Sequence, residues 1–160
     1  MIFAMHKTKN TLPDNTRKAV ISLLQARLAD ALDLAGQAKQ AHWNVKGPGF
    51  IALHELFDQI HAETMGHADL IAERLVMLGG QAYGTTQAVS ETTSLKPYPL
   101  DASRQEDHIE ALSTALADFG GAIRRAIGDA DESGDDDTAD LFTEVSRAVD
   151  KSLWFVEAHA

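Results

Sequence analysis

Two pairs of metal-ligating side chains lie within residues 42–74 of the chain. His54 and Asp58 form the first pair, and Asp69 and Glu73 form the second. Each pair has i, i+4 spacing, which places both side chains on one face of a helix. Imidazole and carboxylate groups on a half-buried helix face are unfavourable unless a cation or another partner compensates them. The spacing therefore indicates a metal site.

The two pairs cannot serve one metal site from a single helix. Asp58 and Asp69 are eleven residues apart, close to three full turns, so both pairs face the same way but lie about 16 Å apart along the axis. A two-fold-related copy running antiparallel removes this difficulty, because the midpoint between the pairs falls near residue 63. His54 and Asp58 of one copy then face Asp69 and Glu73 of the other, and the two-fold axis produces this arrangement twice. The sequence predicts a metal site at a dimer interface.

A third imidazole extends the donor set. His42 lies on the apolar stripe of the preceding predicted helix, where a lone histidine is ordinarily a core residue hydrogen-bonded to a carbonyl. The His54–Asp58 pair twelve residues later favours a metal ligand instead. Trp43 has two interpretations, a packing or dimer contact and a role beside the metal. Two histidines with three carboxylates suit iron or manganese and tolerate zinc.

Other side chains in this region have ordinary explanations. Taken singly, the first pair is also consistent with a surface ion pair, and Asp69 and Glu73 with solvated charges. The metal-site hypothesis depends on all five residues together, because one arrangement of two copies brings them to the same place. His61 and His67, on or near the same helix, are predicted to be exposed histidines without a role at the metal.

Composition narrows the class of protein. The chain has 160 residues, 44% of them hydrophobic, which is enough for one helical domain with a core. The net charge of −10 argues against a surface coated by nucleic acid and is compatible with attracting cations. With no cysteine, disulfides, thiolate zinc sites and cysteine nucleophiles are excluded. The apolar start is too short for a secretory signal, and no stretch is long enough to cross a membrane, so we expect a cytoplasmic protein without a membrane partner.

Hydrophobic periodicity predicts an all-α fold. Four long helices follow a short polar tail, so that residues 1–13 form the tail and residues 14–160 a four-helix bundle domain. A long crossover between the second and third helices includes the segment TTQAVSET, a candidate short helix. This crossover allows the third helix to run parallel to the second, as in ferritin-like bundles. The segment DADESGDDD is predicted to be the loop between the last two helices.

The predicted core side chains recur at steps of three and four residues along each helix. They are Val20, Leu24, Leu28, Ala31, Ala35, Ala38, Leu53, Phe57, Ile60, Thr64, Ile71, Leu75, Leu78, Ile109, Leu112, Leu116, Phe119, Ile123, Ile127, Leu141, Val145, Val149, Leu153 and either Phe155 or Val156.

The spaced segments HWNVKG (42–47), LHELFD (53–58) and DLIAER (69–74) resemble the signature of the Dps family of mini-ferritins, the DNA-binding proteins from starved cells. The segments GTTQAV, LKPYPLD, DDDTADLFTEVSR and DKSLWF are also similar to that family, so the resemblance covers most of the chain. The usual ferritin Glu-x-x-His motif is absent from these helices, which supports a centre between subunits.

The resemblance implies a hollow homododecamer built from two-fold dimers, with a ferroxidase centre at each two-fold interface. His42, His54 and Asp58 would come from one subunit, and Asp69 and Glu73 from its partner. Each centre would hold iron, two ions per centre. The implied reaction oxidises Fe(II), preferably with hydrogen peroxide, and deposits ferric mineral inside the shell, which protects against oxidative damage. Trp43 would scavenge oxidising equivalents.

An acidic run follows the third long helix. Asp137, Asp140 and Glu144 fall on one helix face, and a three-fold axis would turn them into a negatively charged pore that draws Fe(II) inward. The alternative is that acids in this run complement the dipole of a helix N-terminus. Dps-like shells have acidic pores near this part of the chain.

DNA is a further candidate partner. In the family, DNA binding usually depends on a flexible lysine-rich tail, whereas the first ten residues here hold only Lys7 and Lys9 with His6. We expect no basic extension after the last helix. Two alternatives stay open: a DNA-binding, nucleoid-compacting protein with a secondary metal site, and a carboxylate-bridged metalloenzyme that acts on an organic substrate.

Overall fold

All regular structure in residues 5–160, which the computed structural model describes, is helical. The first four residues of the predicted tail lie outside this described part. The helices are α1 (Asp14–Asn44), α2 (Phe50–Met77), α3 (Thr86–Thr92), α4 (Gln105–Glu132) and α5 (Asp136–Glu157). The all-α prediction of four long helices with a short helix in the crossover is confirmed.

The long helices pack as two hairpins. α1 packs chiefly on α2 and α4 on α5, and further contacts join α1 to α4 and α2 to α5. The crossover returns the chain to the α1–α2 turn, where the backbone N–H of Gly49 donates to Oε1 of Gln105 at 2.9 Å. The N-termini of α2 and α4 are therefore side by side, and the two helices run parallel. This is the arrangement that a long crossover between helices two and three allows.

The predicted apolar stripes form the core. Three phenylalanines, Phe57, Phe119 and Phe142, are among the largest fully buried side chains. Three predicted core residues, Ile127, Leu141 and Leu153, are only half-buried, and Val156 rather than Phe155 is the buried side chain near the end of α5. None of the helices within residues 5–160 combines the length and apolar character needed to cross a bilayer.

The turn between α1 and α2 requires a glycine. Gly47 has φ of 133°, in the region that L side chains rarely adopt. A Cβ at this position would also lie 2.9 Å from Oε1 of Gln105. The turn is therefore closed tightly against the start of α4, and it holds the ends of α1 and α2 together.

Polar side chains of α1 hold the crossover in place. Gln25 exchanges two hydrogen bonds with the backbone of Tyr83, both 2.9 Å. The fully buried carboxylate of Asp30 accepts from the backbone N–H of Ser94 at 2.7 Å. Gln37 donates to a further crossover carbonyl at 3.0 Å. These bonds satisfy backbone groups that a long connection would otherwise leave unpaired against the bundle.

The turn between α4 and α5 is much shorter than predicted. The sequence DADESGDDD was expected to be a loop, but α4 continues to Glu132 and α5 begins at Asp136. Gly134, with φ of 83°, closes the turn, and the buried carboxylate of Asp135 accepts from the backbone N–H of Thr138 at 3.1 Å. The segment predicted to be a loop therefore contains the end of α4 and the start of α5, and one of its acids is a helix cap.

Asp135 also carries an ion pair that links α5 to α2. Its Oδ1 lies 2.7 Å from Nη2 of Arg74, whose side chain is only 14% exposed. Asp135→Ala removes the cap and leaves this guanidinium without its closest partner, so we expect a loss of about 3–5 kcal/mol in the free energy of unfolding. The exposed neighbour offers a matched control, since Asp136→Ala loses only a dipole interaction and less than about 1 kcal/mol. Urea unfolding of both variants measures the difference, and equal losses would contradict the assigned role of Asp135.

Candidate metal centre

Two of the predicted ligands, His42 and His54, hold each other in place across the α1–α2 turn. Nδ1 of His42 lies 2.7 Å from the backbone carbonyl of His54, and Nδ1 of His54 lies 2.8 Å from the backbone carbonyl of His42. The two rings are stacked, with centroids 3.8 Å apart and an interplanar angle of 19°. The ring of Phe50 lies 5.0 Å from that of His54. The turn that joins the helices therefore also orients both imidazoles.

This exchange of hydrogen bonds determines which ring nitrogen can bind a metal. A carbonyl oxygen only accepts, so Nδ1 of each ring carries the proton and donates. In the neutral imidazole the lone pair is then on Nε2. Metal-ligating histidines are commonly oriented in this way by a backbone carbonyl on the other ring nitrogen. His42 and His54 thus have the protonation pattern of a pair of Nε2 ligands.

Asp58 lies one turn after His54 on α2. Its carboxylate is paired with a positively charged side chain of the same chain. Nζ of Lys39, on α1, hydrogen-bonds to Oδ1 of Asp58. This hydrogen bond lowers the pKa of the Asp58 carboxyl group, with smaller contributions from the Lys39 charge and from His42 and His61. The carboxylate therefore stays ionised, and an ammonium group occupies one of the oxygens that a metal ion would use.

The second pair lies farther along α2 and is open to solvent. Asp69 and Glu73 are both exposed, and neither side chain makes an ion pair or hydrogen bond within the described part of the chain. A groove of 620 Å³ beside Asp69 is lined mostly by apolar residues of α1, α2 and the crossover, among them Leu28 and Met65. A second groove, of 420 Å³, is lined by Glu73 and its neighbours on α2.

One chain does not assemble the five predicted ligands. Within residues 5–160 no group of three or more histidine, aspartate or glutamate side chains is close enough to hold a metal ion. α2 is a single helix from Phe50 to Met77, so its two pairs keep the separation of about three turns that the spacing implies. His42 and His54 are brought together with Asp58 nearby, while Asp69 and Glu73 are kept apart from them.

An apolar strip runs along the same face of α2. Ile51, Met65 and Val76 are 61%, 42% and 46% exposed, and their spacing places them on the face that bears the two polar pairs. Trp43, at the end of α1, is 68% exposed. Large apolar side chains exposed together with metal-ligating groups are typical of a surface that another protein covers.

The two remaining histidines of α2 differ from the prediction that they are exposed. His61 is half-buried, and its Nδ1 lies 2.9 Å from the backbone carbonyl of Ala35 on α1. His67 is also half-buried, and burial lowers its pKa while nearby Glu63 and Glu144 act in the opposite direction. The prediction was wrong because both residues lie at contacts of α2 with neighbouring helices rather than on its outer face.

The acidic residues at the start of α5 take two different positions. Asp137, Asp140 and Glu144 are exposed, as a pore lining requires. Asp137 lies 3.9 Å from Nη2 of Arg74. Asp135, by contrast, is 2% exposed and belongs to the helix cap.

Similarity to known proteins places the chain in a family. A family model described as ferritin-like domain matches residues 21–160. The chain is 54% identical over 154 residues to the DNA protection during starvation protein of Agrobacterium fabrum, which covers 96% of this chain and 95% of that protein. This chain belongs to the Dps family. A protein of the same name from Brevibacillus brevis is 34% identical over 89% of this chain and 95% of its own.

Solved Dps structures share the fold described above. DpsA14 from Streptomyces coelicolor has a TM-score of 0.93 at 31% identity, over 99% of this chain and 94% of that protein. The tetragonal form of Mycobacterium smegmatis Dps has a TM-score of 0.91 at 31% identity, over 96% of this chain and 94% of that one. The sequence resemblance to the Dps family is therefore confirmed over nearly the whole chain.

Sequence reasoning missed Lys39 as the partner of Asp58 in this Dps chain. Its position three residues before His42 on α1 places it on the side of the helix that bears that ligand, which was the available signal. The contact itself depends on how α1 packs on α2, and no spacing rule within one helix supplies it.

Lys39 should compete with a metal ion for Asp58. Lys39→Gln frees the carboxylate, so we expect anaerobic Fe(II) binding to tighten by about two- to fivefold, the range expected for an exposed ion pair. Isothermal titration calorimetry measures the change, with Lys46→Gln as a control because Lys46 is exposed in the α1–α2 turn. Unchanged or weaker binding in Lys39→Gln alone would show that the ammonium group does not compete.

Proposed function

We propose that this Dps-family chain is the subunit of a ferroxidase and iron-storage shell. It oxidises Fe(II), preferably with hydrogen peroxide, at centres between subunits and stores the ferric product as mineral inside the assembly. The observation that carries this proposal is the pair His42 and His54, each holding its Nδ1 proton on a carbonyl so that Nε2 is the free donor. The family supports iron as the metal, and the oxygen-rich donor set suits it.

The proposed centre takes three ligands from one subunit and two from its partner. His42, His54 and Asp58 supply two imidazoles and a carboxylate, and Asp69 and Glu73 of the second copy supply two more carboxylates. Two Fe(II) ions are the substrates at each centre. One hydrogen peroxide molecule takes one electron from each ion and, with two protons, is reduced to two water molecules. Because both electrons arrive together, no hydroxyl radical is released.

The residues of the chain contribute position and charge to this reaction. Half-buried histidines fixed by backbone carbonyls hold the first ion without reorganisation when it binds. The three carboxylates favour Fe(III) over Fe(II), because their negative charge stabilises the more highly charged ion. Lys39 compensates the charge of Asp58 before iron arrives and must move away when it binds. Trp43, next in the chain to His42, takes up oxidising equivalents that escape the centre.

The surface of α2 supports an antiparallel two-fold dimer. In such a dimer the midpoint of the ligand face, near Met65, lies on the symmetry axis, and Ile51 approaches Val76 of the second copy. The grooves beside Asp69 and Glu73 are mainly apolar and lie where the end of the other subunit's α1 would come. Exposed Trp43 is suited to fill that space. Dimerisation then covers the apolar strip and completes both metal sites at once.

Twelve such subunits would enclose the mineral. Asp137, Asp140 and Glu144 are the residues we propose for a negatively charged pore that admits Fe(II), repeated about a three-fold axis. Their exposure at the start of α5 supports this assignment. Arg74 joins this region to the metal-binding helix, because it follows Glu73 and pairs with Asp135. Fe(II) drawn to the acidic surface would thus arrive near one end of the proposed centre.

Mixed dimers test the proposal directly. Asp58→Asn and Glu73→Gln should each lower peroxide-driven Fe(II) oxidation by at least about 10–100-fold, since loss of a ligand is no milder than loss of the group that orients it. When the two variants are coexpressed in equal amounts, half the dimers are mixed, and each mixed dimer has one centre with both defects and one intact centre. We therefore expect about a quarter of the wild-type rate.

The same experiment separates shared from unshared centres. A centre built within one subunit would contain one defect in every chain, and coexpression would restore nothing. Glu91→Gln, an exposed substitution on α3, serves as the control and should keep the wild-type rate. If either single variant oxidises iron as fast as the wild type, the ligand assignment is wrong.

DNA binding by the N-terminal segment is the second candidate function, and the described part of that segment argues for a weak effect. The backbone N–H of His6 donates to the carbonyl of Gly79 at 2.9 Å, and Arg17 donates to the carbonyl of Leu12 at 3.3 Å. Met5 and Leu12 pack against the core. The lysines of this segment are therefore held on a body whose net charge is −10. Protection of DNA then follows mainly from removal of iron and peroxide.

We expect the full-length protein to retard DNA only at low salt. At about 0.15 M ionic strength the screening length is short and binding through a few phosphate contacts is lost. Lys7→Gln with Lys9→Gln should abolish the low-salt retardation, whereas Lys18→Gln with Lys46→Gln, which removes the same charge elsewhere on the surface, should leave part of it. Electrophoretic retardation across a salt series measures this. Retardation that persists at 0.15 M would favour the nucleoid-compacting alternative.

A further inference from the structure

Tyr98 and His108 form a hydrogen-bonded pair beside the α1–α2 turn. The hydroxyl oxygen of Tyr98, in the crossover, lies 2.6 Å from Nδ1 of His108, in the first turn of α4. The two rings are nearly parallel, at 21°, with centroids 6.1 Å apart. His108 is 1% exposed and Tyr98 is half-buried. Neither residue belongs to the proposed metal centre.

The protonation of this pair follows from burial. Burial raises the pKa of the Tyr98 phenol and lowers the pKa of His108, so both groups are neutral at pH 7. The phenol O–H therefore donates to an imidazole Nδ1 that carries a lone pair. The other ring nitrogen, Nε2, then carries the N–H, and the ring also interacts with the backbone of Asn44.

The backbone of Asn44 connects this pair to the proposed metal centre. A contact with the Asn44 backbone acts on His108 in the direction of a higher pKa, which favours the imidazolium form. Asn44 directly follows Trp43 and ends α1. The exposed indole beside the metal ligands is thus one residue away from the backbone that touches His108.

We propose that Tyr98 and His108 act together as a proton-coupled redox pair that reduces an oxidised Trp43. One electron passes from the phenol of Tyr98 to the radical cation of Trp43, and the indole is restored. The phenol O–H bond breaks, and its proton moves to Nδ1 of His108. The products are a neutral phenoxyl radical and an imidazolium ion, so charge and protons balance.

The base beside the phenol makes this electron transfer favourable. A phenol that loses an electron without losing its proton becomes a strongly acidic cation, and the base at 2.6 Å removes that barrier. The imidazolium formed is stabilised by the Asn44 backbone. The oxidising equivalent moves from an indole that is 68% exposed to a half-buried phenol. This inference rests on the scavenging role proposed above for Trp43.

The chain allows a clean test, because it has two tryptophans and two tyrosines. In Trp154→Phe with Tyr83→Phe, Trp43 and Tyr98 are the remaining oxidisable rings of these kinds. Azidyl radicals generated by pulse radiolysis oxidise tryptophan, and the absorption of the indolyl radical should then decay as that of the phenoxyl radical rises. The conversion should be first order and independent of protein concentration. Phenoxyl formation that is absent, or that scales with protein concentration, overturns the proposal.

Two further variants assign the roles within the pair. Trp154→Phe with Tyr98→Phe retains Tyr83 instead and should show no fast conversion, so equal transfer to Tyr83 would contradict a specific role for Tyr98. In the first background, His108→Gln keeps an acceptor for the phenol but cannot take its proton. We expect transfer to slow by about 100-fold, within the range that a positioned base contributes. An unchanged rate would leave His108 a structural role only.

The outcome does not depend on iron chemistry. No Fe(II) or peroxide is used, so this result can be interpreted even if the proposed ferroxidase function fails. A negative result here, in turn, leaves the ferroxidase proposal intact. If His108→Gln does not assemble, the Trp154→Phe, Tyr83→Phe protein is measured in D₂O. Transfer should slow there because an O–H bond breaks in the step, and an equal rate in H₂O and D₂O would overturn the proton transfer to His108.

Discussion

The rigidity of α2 constrains how the rest of the molecule is arranged. α2 runs without interruption from Phe50 to Met77, so groups three turns apart on its surface cannot approach each other. The helix therefore displays two incomplete sets of predicted ligands, and no geometry within residues 5–160 joins them. An isologous contact between two copies is the simplest arrangement that brings complementary halves together. Under the proposed function, assembly and chemistry become a single event, because the surface that associates is also the surface that binds iron.

The α1–α2 turn connects the fold to this surface. Each of His42 and His54 hydrogen-bonds to the backbone carbonyl of the other, and the carbonyl of His42, in the last turn of α1, is one that a helix leaves without an internal partner. Gly47 permits the tight turn, and Gln105 binds it to α4. A ring that is oriented by the backbone keeps its orientation as long as the bundle is folded, so the proposed ligands need no metal ion to hold them in place.

The acidic side chains of the helices differ in how far a neighbouring cation compensates their charge, and the differences match their structural and proposed metal-binding roles. Asp135 is buried and paired with Arg74, which is a structural use of charge. Asp58 is paired with Lys39, whose ammonium group stands where a metal ion is proposed to bind. Asp69 and Glu73 are exposed and make no ion pair within residues 5–160. A cationic substrate would meet the least compensated acids first and would have to displace a cation at the other half of the centre.

The sequence by itself determined the all-α architecture, the crossover with its short helix, the family and most of the core. The architecture and the core depend on local periodicity, because a 3.6-residue repeat defines a buried face and a glycine-rich break defines a turn. The family was recognised from its spaced sequence segments. It also predicted that the ligand pairs share one face of α2, since i, i+4 spacing acts within a single helix. The loop before α5 was predicted to be too long, because the sequence pattern does not show where α4 ends or that Asp135 caps α5.

Only the tertiary structure decided what each side chain meets on another helix. Lys39 against Asp58, Arg74 against Asp135 and Tyr98 against His108 are contacts between elements far apart in the chain. Helical periodicity shows which face a residue occupies but carries no information on the register and rotation with which two helices pack. Hydrogen bonds and counter-charges are sensitive to a few tenths of an ångström. They are therefore decided when the helices dock.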